Sequence, residues 1–280
     1  MDGKEASPRT AKRKRACLSD VLGLAVEEQY FSMPVNPITA VKWTAPKSVE
    51  AVEAVDPESV ANPRQVRALL AGVREQGARG RHLEAFFGCL YYAAMRPAEA
   101  TGLRMAQCHL PESGWGMLTL RQGVVRAGRG WTDDGAAHEV RHLKARAKKD
   151  SRPVPIPPHF VRMLREHIAA HGTAPDGRLF RTNRNGLLQE TGYGEVWANA
   201  RKNVLSEAET ASLLARRPYD LRHAGVSFWL SSGVDAMECA RRAGHSIAVL
   251  HTVYAKVLDQ TRERANSRIY AALREWNEPE

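Results

Sequence analysis

The chain has no apolar stretch long enough for a membrane span. Its longest run, AFFGCLYYAAM at 85–95, falls well short of the roughly 18–20 residues a transmembrane helix needs. The N-terminus, MDGKEASPRTAKRKRA, lacks the apolar core of a secretory signal. Cysteine is scarce as well: Cys17, Cys89, Cys108 and Cys239 lie far apart with no C-x-x-C, which fits neither a zinc ribbon nor a disulfide framework. Internal repeats, low-complexity tracts, G-x-S-x-G, the phosphate-binding G-x-x-x-x-G-K-[ST] and H-E-x-x-H are all missing, which removes the main support for hydrolase, nucleotide-triphosphatase and zinc-protease chemistry. His138 with His142, and His167 with His171, stand at i, i+4, but each pair lacks an evident third ligand, so neither a metal nor a cofactor is expected. These absences imply a soluble, unexported protein whose natural home is a reducing cytoplasm.

What the chain does have is positive charge. With a net charge of +10 and a pI of about 9.7 over 280 residues, its surface attracts polyanions. Lysine and arginine that neutralise phosphates release counterions and so supply affinity for nucleic acid without reading sequence. The length allows one sizeable core, or one core plus a smaller module.

Residues 1–16 read as a disordered basic tail, although AKRKRA at 11–16 also fits a DNA-gripping arm or a nuclear address. LSDVLGLAVEEQYF at 18–31 reads as a helix capped by Ser19, with Val21, Leu22, Leu24, Ala25 and Tyr30 as its apolar stripe. Prolines at 34, 37, 46, 57 and 63 then suit a linker. Asn62-Pro63 is a cap and first-turn pair that opens a helix through RQVRALLAGVREQ. HLEAFFGCLYYAAM is apolar nearly all round and is expected to be buried. From about 116 the period falls to two: GMLTLRQGVV, AHEVRHLKAR and RPVPIP read as three strands of one small antiparallel sheet. Beyond Pro158 the pattern is helical to the end. The expected fold is mainly α with a small antiparallel β-sheet, an α+β class.

Three stretches carry chemistry. In YYAAMRPAEATGLR, Arg96 emerges from a buried helix with Glu99 three residues on, and a guanidinium there must find a partner or line a cleft. In HLKARAKKDSRPVPIP, Lys144 sits at the tip of the expected hairpin. The third stretch is RRPYDLRHAGVSFWL with RRAGHSIAVLHTVYAKV: Arg222 opens one helix, Gly244-His245 turn, Ser246 caps the next helix and Tyr254 follows on it. Alone, Tyr254 at helical spacing from Ile247 and Leu250 reads as a core aromatic.

Together these residues resemble the tyrosine recombinase, or phage integrase, family, in particular integrases of actinobacterial mobile elements. That pattern runs arginine with a following acid, hairpin lysine, H-x-x-R, G-H turn and tyrosine. Here it falls on Arg96 with Glu99, Lys144, Arg222, His245 and Tyr254, over about residues 60–275. The resemblance implies the tyrosine recombinase catalytic-domain fold and a site-specific recombinase that cuts and rejoins double-stranded DNA through a 3′-phosphotyrosyl intermediate, with no ATP or metal. Tyr254 would be the nucleophile. Arg96 and Arg222 would stabilise charge on the phosphate oxygens, since guanidiniums do not deprotonate. Lys144 would protonate the leaving 5′ oxygen, His245 would bond the phosphate and Glu99 would orient Arg96. Cations beside the phenol are expected to favour its ionised form. One departure stands out: Tyr219, in YDLR, occupies the place of the family's usual histidine. His223 reads as a structural helix residue.

The resemblance further implies a catalytic domain over 61–280, preceded by 17–60 as linker and remnant of a core-binding domain whose earlier helices are lacking. A truncated, non-catalytic DNA-binding remnant is the rival reading, and a type IB topoisomerase shares the chemistry. Ile269, Ala272, Leu273 and Trp276 form a C-terminal apolar stripe. It either packs on its own core or docks on a neighbour, as the family's self-assembly into dimers and tetramers on DNA implies.

Overall fold

The computed structural model of the chain describes residues 6–31, 34–44, 55–128, 130, 132, 135–142 and 151–277. No helix among them is long and apolar enough to cross a membrane. The chain divides into two units, Met1–Glu53 and Ala54–Glu280.

In the first unit, helix α1 spans Pro8–Glu27. It therefore starts well before Ser19 and takes in the basic run 11–16 expected to be disordered. Ser7 accepts a hydrogen bond from the Thr10 amide at 3.3 Å and Pro8 holds the first helical position. Alanine, lysine and arginine then carry the helix at little conformational cost. It ends short of residue 31 because Gln29 takes a φ of 60°. A 3₁₀ turn, Pro37–Ala40, is tied back onto α1. Asn36 donates to the Ser19 carbonyl at 2.8 Å, and Arg15 donates to Ile38 and lies over the Trp43 ring at 4.9 Å. Leu18, Val21 and Leu24 on α1 are exposed. The remainder of the expected linker, 45–54, lies outside the described residues.

The second unit opens with α2 (Pro63–Arg74), where the Asn62 side chain accepts from the Gln65 amide at 2.9 Å and Gln65 returns the bond to the Asn62 amide at 3.0 Å. This reciprocal cap is the one the Asn-Pro pair promised. Val66, Leu69, Leu70 and Val73 of α2 pack on α3 (Gly77–Tyr92), whose Phe86, Phe87, Cys89 and Leu90 are fully enclosed. A short α4 (Pro97–Thr101) follows.

The β region departs from the single expected sheet. Strands β1 (Cys108–His109), β2 (Gly116–Leu120), β3 (Gln122–Arg126), β4 (His138–His142) and β5 (Arg152–Ile156) form two sheets, β1-β2-β5 and β3-β4, all antiparallel. The expected long strand GMLTLRQGVV breaks at Arg121, because its first half pairs with β5, Leu118 opposite Val154, and its second with β4, Val124 opposite Val140. Among the described residues β4 and β5 are not partners. Lys144 itself lies outside the described residues.

The remaining helices are α5 (Pro158–His171), α6 (Glu190–Val204), α7 (Glu207–Ala211), α8 (Asp220–Ser231), α9 (Ala236–Ala243), α10 (Ile247–Val253) and α11 (Ala255–Asn277). Helix α8 crosses α3 at Gly225, where any Cβ would collide with the Tyr91 carbonyl. That close approach sets the depth at which Arg222, one turn earlier on α8, enters the core. At the C-terminus, Ile269 and Leu273 of α11 are 59% and 47% exposed, so this part of the expected stripe is not packed on its own core. The Trp276 side chain is not among those described.

Candidate active site

Four pieces of chain bring Arg96, Glu99, Arg222, His245 and Tyr254 together. The first is the end of α3. There Ala94 adopts a φ of 44°, a left-handed backbone that disfavours a residue with a Cβ by roughly 1–2 kcal/mol. The turn delivers Arg96 to the start of α4. Glu99, buried at 4% exposure, accepts from the Arg96 amide at 2.8 Å and from its guanidinium at 2.9 Å. Glu99 thus holds both the backbone and the side chain of Arg96. Arg96 also donates to the Gly244 carbonyl at 3.2 Å.

The second piece is α8. Arg222 is fully buried and donates to the carbonyls of Ala94 and Ala243, and to His245 Nε2 at 2.8 Å. The third is the α9–α10 turn, where Gly244 takes the left-handed conformation (φ 65°) that closes α9, and Ser246 caps α10. His245 Nε2 faces a guanidinium, which only donates, so the proton of the neutral ring is on Nδ1; that atom is buried without a partner. Burial first, then Arg222 and Arg96, lower His245 to about 3.

The fourth piece is Tyr254, which ends α10 as its cap rather than lying within it. It is 1% exposed, its ring stacks on His245 at 6.2 Å, and its hydroxyl lies 3.0 Å from His223 Nδ1. Burial raises the phenol, and Arg222 and Arg96 oppose that rise without reversing it. The expectation that neighbouring cations leave a readily ionised phenol is therefore corrected: at 1% exposure, desolvation is the larger effect.

Three participants escaped the sequence reading. Arg152, 1% exposed, donates to Glu99 at 2.6 Å and to the Arg242 carbonyl at 2.8 Å. A signal for it was present: in Arg-Pro-Val-Pro-Ile, period-two alternation puts Arg152 on the same buried face as Val154 and Ile156. His223, read as structural, contacts the Tyr254 hydroxyl. Burial lowers it to about 4, so the ring is neutral, and its Nδ1 shares a hydrogen bond with the phenol. Ala94 sat unnoticed in an apolar run. Tyr219 packs its ring on His223 at 5.1 Å and lines, with Arg96 and Arg217, a cavity of about 790 Å³.

Charge explains why Glu99 is central. Burial alone would raise its carboxyl, but Arg152, Arg222 and Arg96 together hold it below the ordinary carboxylate range. Burial lowers the Arg152 guanidinium to about 10 against the pull of Glu99, with Arg222 and Arg96 adding to the fall. The two partners shift downward for different reasons: burial outweighs Glu99 at Arg152, and three guanidiniums outweigh burial at Glu99. The uncompensated positive charge makes the site a receptor for an anion.

The fold that assembles this cluster is the tyrosine recombinase catalytic-domain fold. Among solved structures, the chain is similar to the Tn1549 transposon integrase in complex with transposon right-end DNA (TM-score 0.64, 16% identity, covering 94% of this chain and 81% of that one). It is also similar to the XerH recombinase bound to its difH substrate (0.53, 14%, 81% and 56%) and to a lambda integrase dimer bound to a core site (0.52, 14%, 91% and 61%). In sequence it is similar to the putative prophage phiRv2 integrase of Mycobacterium tuberculosis, at 29% identity over 168 residues, 59% of this chain. The match spans 40% of that relative's length. No protein-family model matches the chain.

Proposed function

We propose that the chain is a site-specific DNA recombinase of the integrase type, with Tyr254 as nucleophile and Arg96, Arg222 and His245 as the phosphate-binding groups. The observation that carries this reading is the convergence of these four side chains, from four pieces of chain, on one buried and positively charged cluster. In the step proposed, the Tyr254 oxygen bonds to phosphorus, its proton passes to an acceptor, and the bond from phosphorus to the 5′ oxygen breaks. That oxygen takes up a proton, for which the family pattern nominates Lys144. Reversal by another 5′ hydroxyl reseals the strand, so the phosphodiester is conserved and no external energy source is needed.

His223 Nδ1 is the acceptor nearest the phenol. Because Tyr254 is only 1% exposed, its oxygen reaches a phosphate only after the α10–α11 junction shifts. We read 17–60 as linker and remnant of a DNA-clamping module and the chain as one that assembles with copies of itself on DNA. The rival, a DNA-binding protein without chemistry, is favoured by that same burial of Tyr254. A nicked suicide substrate separates the two: a covalent protein–DNA adduct, lost in Tyr254→Phe, marks the enzyme, whereas a gel shift with no adduct marks the rival.

A further inference from the structure

The histidine pair His167 and His171 lacked a third ligand in sequence, and the fold supplies one. His82 of α3 stands opposite both, with ring centroids 5.0 Å from each, and the pair themselves are 4.9 Å apart. One nitrogen from each ring lies within 4.8 Å of the other two. His167 is 5% exposed, and its Nε2 faces the Leu179 carbonyl at 3.2 Å. A carbonyl only accepts, so Nε2 carries the proton and Nδ1 the lone pair. That Nδ1 is buried with no hydrogen-bond partner. A buried acceptor without a donor is unfavourable, and an imidazole whose N–H is anchored on a backbone carbonyl is the usual arrangement of a metal ligand.

We infer that His82, His167 and His171 form a binding site for a divalent d-block cation, with zinc the best fit. Three imidazoles plus water make a tetrahedral set that suits borderline-soft ions and not magnesium or calcium, which take oxygen ligands. Residues i and i+4 on one helix already share a face. Bonds of about 2.0–2.1 Å to one ion bring ligand nitrogens to roughly 3.3 Å from each other, so the rings must close inward. Ring rotation about χ2 is broad and permits this. His82 Nε2 accepts a long bond, 3.2 Å, from the Arg181 amide, which occupancy would give up.

His82 and His171 both line a cavity of about 760 Å³, which gives the ion and its water a way in. Burial is the main force that keeps His82, His167 and His171 below the ordinary histidine range, so the rings are neutral and competent to ligate. Arg81 and Arg181 are the nearby cations, and they hold the affinity below that of an enclosed structural zinc site. The site uses no residue of the Tyr254 cluster, and a bound ion would clip α3 to α5.

The test is titration of the chelator-treated full-length chain with Co²⁺ at pH 7.5, followed by visible absorption, and then displacement by Zn²⁺. One equivalent giving a tetrahedral spectrum is expected. His171→Ala and His82→Gln, both at partly exposed positions, should keep metal-free helical circular dichroism and weaken binding by at least about tenfold. His109→Ala, an exposed histidine elsewhere, should change nothing. Zn²⁺ should raise the melting temperature of the unaltered chain and not of His171→Ala. Affinity unchanged by both substitutions, or no stoichiometric tetrahedral binding, would overturn the assignment.

Discussion

Replacing Glu99 by glutamine probes how the charge cluster is held together. Glutamine keeps the shape, but it removes the carboxylate that, among the described residues, pairs with both Arg152 and Arg96, and its amide turns a donor toward groups that only donate. Glu99 and Arg152 are 4% and 1% exposed, so solvent does little to compensate. Removing one partner of a buried ion pair costs about 3–5 kcal/mol, and for a protein of this size each kcal/mol lowers the melting temperature by about 2–4 °C. Glu99→Gln should therefore melt roughly 6–20 °C lower at pH 7.5. The sign with pH follows from the depressed carboxyl of Glu99. Its contribution is fully present above the ordinary carboxylate value of about 4.3 and fades as pH falls through the lower folded value. The gap between wild type and variant should be constant from pH 8 to 5 and narrow below about 4.3. Adding Arg152→Met should recover part of the loss, because the orphaned guanidinium goes with it. A melting temperature within about 2 °C of wild type, or a gap that does not narrow in acid, would refute the reasoning.

Further outcomes follow from individual contacts. Gly244→Ala places a side chain at φ 65° and within 3.1 Å of Arg152, so it should destabilise by at least roughly 1–2 kcal/mol in urea titrations and lower adduct yield; no change would mean the turn relaxes freely. His223 and His245 are neutral in the fold, at about 4 and about 3, but protonate near 6.5 when unfolded. Their depressed values mean that stability falls as pH drops from about 6.5 toward 4, which a flat denaturation profile over that range would contradict. His223→Phe removes the acceptor facing Tyr254; adduct formation should slow by about 10²–10⁴ with DNA affinity kept, and an unaltered rate would leave His223 a packing residue. Ile269→Asp with Leu273→Asp should leave the melting temperature within a degree or two, since both are exposed, yet weaken assembly on DNA; intact assembly would remove α11 from the interface.

Local chemistry was legible in the sequence, and placement across the chain was not. The Asn62-Pro63 cap, the buried α3 and the Ser246 cap are each set by a few adjacent residues, and each stands where the residues put it. The pairing of Arg96 with Glu99 is local, three residues apart, whereas the meeting of Arg96 with Arg222, His245 and Tyr254 was accessible only through an ordered pattern, since nothing in the spacing from 96 to 222 fixes a contact. The split of the β region at Arg121 depends on which partners β2 and β3 find, a long-range outcome with no local marker. Helix α1 starts at Pro8, in a run whose charge density points to a solvated tail while its alanine, lysine and arginine favour helix. Burial reversed the expectation for the Tyr254 phenol, and exposure is a property of the fold that composition does not carry. His82 shows the same limit: the third imidazole of the histidine cluster comes from another helix.

Attack by Tyr254 on DNA is read out by covalent capture. Radiolabelled duplex carrying the target site and a nick next to the scissile phosphate should give, with the unaltered chain, a slow-migrating adduct that survives denaturant. The label should remain on Tyr254 as a 3′-phosphotyrosyl peptide after proteolysis. Tyr254→Phe, which removes one hydroxyl, should bind the same duplex and give no adduct. An adduct that persists in Tyr254→Phe, or one mapped to another residue, would contradict the account.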